Sequence, residues 1–232
     1  MELLNGQLRA RTGGRRLFDL ASLFFFACLL SPIVADASIA VLVLDRNGKP
    51  IPDVVVYAKS AGTEFTSAGT ASVAIMDQVD KRFVPHLLVV QVGTLVEFPN
   101  SDPTAHHVYS FSKPNQFNLP LYKGDIQPSV RFTQEGIITL GCNIHDNMLG
   151  YILVVDTPLY AITGVDGRAV LETGLSDELE VRIWSPRIRD TLDSLVEIVA
   201  PTSDDSQITY QVAKKLRQRH DEETVASSWS DY

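Results

Sequence analysis

Cysteine is scarce in this 232-residue chain, which contains only Cys28 and Cys142. Two cysteines cannot build the multiple-disulfide framework that holds many small exported domains together. Methionine is almost as rare, with three residues in the chain. A short segment that contains both a cysteine and a methionine is therefore a place to look for chemistry.

Basic side chains are also fewer than acidic ones. The chain has 20 basic and 28 acidic side chains, for a formal net charge of −8. Because a nucleic-acid-binding protein needs a basic footprint, this balance argues against DNA or RNA as a partner. The length suffices for one domain or for two small ones.

The first 37 residues are typical of an export signal. Four arginines (Arg9, Arg11, Arg15 and Arg16) precede an apolar run over 17–34, which ends in Ala35-Asp36-Ala37. This order predicts cleavage near Ala37 and a periplasmic protein. The paired arginines leave the general secretory and twin-arginine routes open. An uncleaved membrane anchor is the alternative, for which the run is short and interrupted.

Cleavage would change the inventory of the chain. The mature protein would have 16 basic and 25 acidic side chains, and no membrane segment. Cys28 would be lost, so Cys142 would be the only thiol. A single thiol in an exported protein is buried and inert, paired between chains, catalytic, or bound to a metal.

No long amphipathic helix is evident after residue 37. Short runs rich in valine and isoleucine alternate with turn sequences, as in SIAVLVLD (38–45), DVVVYAKS (53–60) and LGYILVVD (149–156). Residues 113–128 contain three prolines and are predicted to form a long loop. The pattern predicts an all-β sandwich.

We predict five segments along the chain. They are a signal peptide (1–37), an N-terminal β segment (38–72), a central domain (73–157), a C-terminal β segment (158–200) and a polar tail (201–232). Both β segments resemble the strand-turn-strand units of transthyretin-like or carboxypeptidase-regulatory-like sandwiches, and whether they form a separate domain is open. In the tail, the helical spacing of Ile208, Val212 and Leu216 predicts at most one marginal helix before a disordered end.

The sequence C-x2-H-x2-M marks the strongest candidate site. Cys142, His145 and Met148 stand in a polar loop between two predicted strands, so their side chains can converge at one end of a sandwich. A thiolate, an imidazole and a thioether form the soft ligand set that copper prefers. Methionine also fills gaps in apolar cores, which is the alternative interpretation of Met148.

A second imidazole is available 36 residues before Cys142, at His106-His107. Neighbouring residues of a strand point to opposite faces, so only one of the two can face a metal. His86 lies near the start of a predicted strand and His220 in the polar tail, and both are expected to be surface or hydrogen-bonded histidines.

The segment 82–156 resembles a cupredoxin. The resemblance rests on Phe83-Val84-Pro85, on Val90 to Gly93, on Val96-Glu97-Phe98, on Asn100-Ser101-Asp102, and on a ligand loop similar to that of amicyanin. It implies a cupredoxin-like Greek-key β-sandwich, with additional β-rich flanks, that holds one type 1 copper by His106, Cys142, His145 and Met148. The amicyanin pattern favours His106 as the ligand, with His107 in place of an asparagine. Asn147 also departs from the residues common at its position.

The chain further resembles exported cupredoxin-like proteins labelled as methylamine utilization proteins. The resemblance implies a periplasmic one-electron carrier, not an enzyme, which docks on unidentified redox partner proteins near His145. Copper storage or delivery by the same ligands is the alternative. A Cys142–His145 nucleophile pair is a third hypothesis, although the sequence shows no third residue to orient it. An adhesion sandwich with an inert loop is a fourth. The sequence leaves the oligomeric state unknown.

Overall fold

A computed structural model describes residues 37–60, 72–124, 126–174, 178–190, 195–199 and 207–218. Apart from Ala37, the predicted signal peptide lies outside the described residues. The described residues are organised as strands, and none of them forms a helix long and apolar enough to cross a membrane. The all-β class predicted from the sequence is confirmed.

The strands fall into two groups along the chain. Those that pair around the central segment are β3 (Val73–Ile75), β4 (Asp77–Val79), β5 (Arg82–Val84), β6 (Leu87–Gln91), β7 (Leu95–Glu97), β8 (His106–Ser110), β9 (Phe117–Tyr122), β10 (Ser129–Arg131), β11 (Gly136–Gly141) and β12 (Leu149–Val155). The flanking strands are β1 (Ser38–Leu44), β2 (Val55–Ser60), β13 (Tyr160–Ile162), β14 (Arg168–Glu172), β15 (Leu179–Trp184), β16 (Val196–Val199) and β17 (Gln207–Gln211).

The central strands build the sheets that carry the ligand loop. One sheet has the order β6-β12-β11-β8-β9, and a smaller one has the order β10-β7-β3. Their apolar faces enclose a core in which Phe83, Phe98 and Phe132 are fully buried. Gly141 of β11 pairs with Leu149 of β12, so the sheet fixes both ends of the loop between them.

The flanking strands build a second pair of sheets, with the orders β14-β1-β17 and β13-β2-β15-β16. Alternate residues of β1 and β15 point inward, so Ile39, Val41, Val181 and Ile183 share one core. The N-terminal and C-terminal flanks therefore contribute strands to the same pair of sheets, because β1 pairs with β14 and β2 pairs with β15. The five segment boundaries predicted above stay a prediction.

A third apolar cluster joins the two groups of strands. Val55 and Tyr57 of β2 pack with Val89 of β6 and with Leu153 and Val155 of β12. Beside this cluster Lys59 Nζ lies 3.0 Å from Asp156 Oδ2 and also contacts Glu135. The five-stranded sheet β6-β12-β11-β8-β9 thus packs its outer face against the flanking sandwich.

Two expectations from the sequence are wrong. The segment 113–128 is not one long loop, since Phe117–Tyr122 forms β9 at the edge of the five-stranded sheet, where a proline is tolerated. The helix predicted around Ile208 does not form: Gln207–Gln211 forms β17, which runs parallel to β1. Ile208 and Tyr210 alternate into the flanking core, and this long-range burial outweighs their local spacing. Residues 219–232 of the predicted tail lie outside the described residues.

Candidate metal centre

The burial pattern of β8 decides which histidine faces inward. His106, Val108 and Ser110 are buried, whereas His107 and Tyr109 are partly exposed. This is the alternation of a strand that covers a core with one face. His106 therefore points into the core, with no exposed surface.

The loop 142–148 presents the other candidate ligands from a fixed base. Cys142 directly follows β11, and its side chain is 5% exposed. The Met148 N–H donates to the His145 carbonyl over 3.0 Å, which turns the chain back toward β12. Met148 is 2% exposed and packs in the same apolar cluster as Cys142, whereas His145 is partly exposed.

Three donor atoms converge on one point. His106 Nδ1 lies 3.1 Å from His145 Nδ1, and Cys142 Sγ lies 3.8 Å and 3.7 Å from these nitrogens. Within the described part of the chain, these three residues are the only such group of His, Cys, Asp or Glu side chains.

The spacing of these donors suits a first-row metal. With metal bonds of about 2.0 Å to nitrogen and about 2.3 Å to sulfur, as in zinc sites, a planar trigonal set needs separations of roughly 3.5 to 3.8 Å. The two S···N distances meet this requirement, and the N···N distance is somewhat shorter. Two imidazoles and one thiolate, with a thioether nearby, are the donor set of an electron-transfer copper site. The residues present therefore fit copper.

Asp102 orients His106 from the opposite side of the ring. Its Oδ2 lies 2.6 Å from His106 Nε2, and the Asp102 side chain is almost fully buried. If Nε2 carries the proton and donates to the carboxylate, the lone pair of Nδ1 faces Cys142 and His145. A metal-bound histidine commonly has such an outer partner.

Backbone amides hold Asp102 in its ionised form. The Asp80 and Lys81 N–H groups donate to its two carboxylate oxygens over 2.6 Å and 2.8 Å. Both donors have positive φ values, 51° and 57°, which form a tight turn around the carboxylate. Burial alone would raise the pKa of Asp102, but the hydrogen bonds from Lys81, His106 and Asp80 outweigh it and lower that pKa.

The surroundings of His145 favour its neutral ring. Burial lowers the pKa of His145, and the nearby His106 and the positive charge of Lys81 lower it further. A neutral imidazole keeps the lone pair that a metal ligand needs. The sequence had indicated His145 from its spacing alone, without these neighbours.

The other histidines do not join the three-donor group. His107 turns its ring toward Tyr109, with centroids 5.6 Å apart, and its buried Nδ1 has no hydrogen-bond partner among the described residues. His86 Nδ1 lies 3.1 Å from the Leu149 carbonyl, and its ring packs edge-on against Tyr151. His220 lies outside the described residues, and Asn147 is exposed on the ligand loop.

Asp102 is the site residue whose role sequence reasoning missed. In the sequence, the segment Asn100-Ser101-Asp102 contributes only to the cupredoxin resemblance. One available signal was the spacing of Asp102 four residues before His106. The spacing alone does not show a contact. In the structure, the turn over 102–106 brings the Asp102 carboxylate to the His106 ring.

No family model matches this chain, and no curated protein matches it. Among solved structures, a copper-containing nitrite reductase from Thermus scotoductus SA-01 is 25% identical, over 44% of this chain and 26% of its own, with a TM-score of 0.36. The chain thus spans about a quarter of the length of that reductase.

Two smaller proteins are matched over nearly their full length. A purple cupredoxin from Nitrosopumilus maritimus is 22% identical, over 36% of this chain and 99% of its own, with a TM-score of 0.32. A reduced amicyanin variant is 24% identical, over 43% of this chain and 99% of its own, with a TM-score of 0.34. Each of these likenesses covers less than half of this chain.

Proposed function

We propose that this protein binds one copper ion, which His106, Cys142, His145 and Met148 would hold, and that it carries single electrons. The observation that supports this proposal is the convergence of His106 Nδ1, His145 Nδ1 and Cys142 Sγ within 3.8 Å of one another. Bound copper supplies a one-electron couple between Cu(I) and Cu(II).

The contribution of the chain is to fix the donors before any metal arrives. His106 stands on β8, Cys142 follows β11, and Leu149 of β12 closes the loop. Since Asp102 holds the His106 ring and the core encloses Cys142 and Met148, these side chains have little freedom to move. A fixed donor set favours electron transfer because little structure has to reorganise when the charge changes.

His145 offers the route by which electrons would enter and leave. It is the partly exposed member of the three, whereas His106 and Cys142 are buried. Ile144 beside it is 51% exposed, so the loop presents an apolar side chain next to the imidazole. In the proposed function a redox partner protein docks on this surface, in the periplasm if residues 1–37 act as the export signal.

Copper storage or delivery uses the same ligands and differs in how readily the metal exchanges. A catalytic thiol is a further candidate, because the structure supplies the orienting residue that the sequence had not shown. Asp102, His106 and Cys142 lie in the order of a carboxylate–histidine–thiol relay. Against catalysis, Cys142 is 5% exposed, and a second imidazole nitrogen, from His145, points at the same sulfur.

A visible spectrum of the purified protein with added Cu(II) tests the proposal. A copper–thiolate site gives an intense band near about 600 nm at one copper per chain. Cys142→Ser should abolish the band. Met148→Leu should shift its position or intensity, whereas Met76→Leu, at another fully buried methionine, should leave it unchanged.

The outcomes separate the candidate functions. A band that persists against a chelator and bleaches reversibly with one electron per copper supports the carrier. A band that a chelator removes within minutes favours copper delivery. If no band forms, and Cys142 instead reacts with thiol reagents and turns over an ester, the copper proposal is wrong.

A further inference from the structure

A groove of about 620 Å³ lies beside the ligand loop. Asn147 and Leu149 border it at the end of the loop, and Arg82 and Val84 border it from β5. The far wall comes from the flanking strands and their connections, at 185–187 and 217–218. The proposed copper function makes no use of this groove.

Four cationic side chains line the groove in a protein whose net charge is negative. They are Lys81, Arg82, Arg187 and Arg217. Among the described residues none of the four forms a salt bridge. The lining includes two carboxylates, Asp53 and Asp80. The lining therefore carries a surplus of two positive charges when His86 is neutral.

Backbone contacts position the two arginines of the far wall. The Arg217 N–H donates to the Arg187 carbonyl over 2.8 Å, and Arg187 Nε donates to the Arg217 carbonyl over 3.4 Å. Arg217 Nη1 donates to the Pro186 carbonyl over 2.7 Å. These acceptors are neutral carbonyls, so the contacts hold the guanidinium groups in place without neutralising their charges.

The near wall is built in a similar way. The Lys81 N–H is held by Asp102, which fixes the backbone of Lys81 at the edge of the groove. The apolar and aromatic residues Phe83, Leu87, Leu149, Tyr151 and Pro186 also line the groove. The edge-on packing of His86 against Tyr151 adds a flat ring to this surface.

From these observations we propose that the groove binds an organic anion with two or three negative groups on a flat apolar body. The volume is in the range of roughly 300 to 1,000 Å³ that small-molecule sites occupy, and it is far larger than an inorganic anion requires. Guanidinium groups bind carboxylate, sulfonate or phosphate oxygens through paired N–H donors. The apolar and aromatic lining would cover the body of the ligand.

Pyranine, a flat aromatic trisulfonate, is a suitable probe. Its fluorescence anisotropy is titrated with the full-length mature protein at low ionic strength, where surface charges are least screened. We expect saturable binding at one probe per chain, both with and without copper. Because the copper-free protein is sufficient, failure here and failure of the copper proposal are distinguishable.

Matched charge removals locate the binding site. In Lys81→Gln/Arg187→Gln two groove cations are lost, and the Kd for pyranine should rise by about tenfold or more. Arg46→Gln/Lys113→Gln removes the same charge from positions outside the lining and should change the Kd less than about twofold. Circular dichroism checks that each variant is folded.

A gain of affinity provides a second measurement, independent of any loss of folding. Asp80→Asn removes a negative charge from the lining, at a positive-φ position that asparagine tolerates. It should tighten pyranine binding by about threefold. The proposal is overturned if the wild type shows no saturable binding, if both charge-removal pairs weaken it equally, or if neutral pyrenemethanol binds as tightly as pyranine.

Discussion

His106 Nε2 and Asp102 Oδ2 are 2.6 Å apart, and both side chains are buried. The carboxylate is kept ionised by two backbone N–H groups, so a full negative charge lies against the outer edge of the imidazole. Such a charge makes the other ring nitrogen a stronger electron donor. In a copper site a stronger donor stabilises Cu(II) more than Cu(I).

Replacing Asp102 by asparagine should therefore lower the affinity of the site for Cu(II) and change its reduction potential. Asp102→Asn keeps the size of the side chain and removes its charge. We expect Cu(II) affinity to fall by about 10- to 100-fold, the usual effect of losing an outer-sphere partner, and the reduction potential to rise. Competition with a chelator measures the affinity, and a potentiometric titration of the visible band measures the potential.

Asp77→Asn is the matched control for this prediction. Asp77 Oδ2 accepts a hydrogen bond from Ser101 Oγ over 2.7 Å in the neighbouring turn, and no contact with His106 is observed. Its replacement should change the stability of the turn while the potential stays near that of the wild type. An equal rise in both variants would show that general charge, not the contact with His106, sets the potential.

The adjacent histidines of β8 should differ sharply in their effect on copper. His107→Asn should retain one copper per chain, because the ring of His107 faces Tyr109 on the outer side of the strand. His106→Asn should lose tight copper binding, since it removes one of the three converging donors. Copper content after gel filtration measures both effects.

Stability provides a separate check of the same assignment. The buried Nδ1 of His107 has no hydrogen-bond partner among the described residues, and an unsatisfied buried polar atom costs about 1 to 3 kcal/mol. His107→Phe, which removes this nitrogen and keeps a ring beside Tyr109, should therefore leave the melting temperature unchanged or raise it. Loss of copper in His107→Asn, with retention in His106→Asn, would reverse the assignment.

The sequence predicted those parts of the site that depend on local patterns. That only one of His106 and His107 can face a metal follows from the geometry of a strand, and the choice of His106 came from the resemblance to amicyanin. The convergence of Cys142, His145 and Met148 follows from their short loop. The position of Asp102 was not predictable in this way. It depends on a turn in which the Asp80 and Lys81 amides reach a carboxylate more than 20 residues later.

The errors in the fold share one cause, which is long-range pairing. β9 contains Pro120. From the local sequence a proline is expected to interrupt a strand, but an edge strand such as β9 tolerates it. Ile208 fits both a helical spacing, with Val212 and Leu216, and a strand alternation, with Tyr210; the pairing of β17 with β1 selects the strand. A local pattern cannot show which distant strand edge is available for pairing. Strands β9 and β17 are therefore not predictable from the local sequence.

The buried hydroxyl of Thr163 should contribute to the stability of the flanking sandwich. Thr163 Oγ1 accepts from the Val54 N–H over 3.0 Å and donates to the Ile51 carbonyl over 2.8 Å. Thr163→Val leaves both backbone groups without this partner, so we expect a loss of about 1 to 3 kcal/mol in the free energy of unfolding. Urea denaturation measures it. Thr163→Ser keeps the hydroxyl and should lose markedly less; equal losses would mean that the methyl packing, not the hydrogen bonds, matters.

Gly150, one residue into β12, should not accept a side chain. A Cβ at this position would lie 2.7 Å from Phe83 Cβ and 3.0 Å from two ring atoms, and Phe83 is 1% exposed. Because the core leaves Phe83 no space to move, Gly150→Ala should cost about 1 to 3 kcal/mol in the free energy of unfolding. Urea denaturation of the copper-free protein measures this cost without any contribution from the metal.

Gly141→Ala, in the neighbouring strand, is the comparison that isolates the cause. Its Cβ would meet the Tyr109 side chain at 2.9 Å, but Tyr109 is partly exposed and its ring can move aside. Gly141→Ala should therefore cost less than Gly150→Ala. If the clash with Phe83 is the cause, Gly150→Ala should also cost less in a Phe83→Leu background, since the smaller side chain vacates the space that the new methyl group needs. Equal costs in the two backgrounds would assign the effect to the backbone of β12 instead.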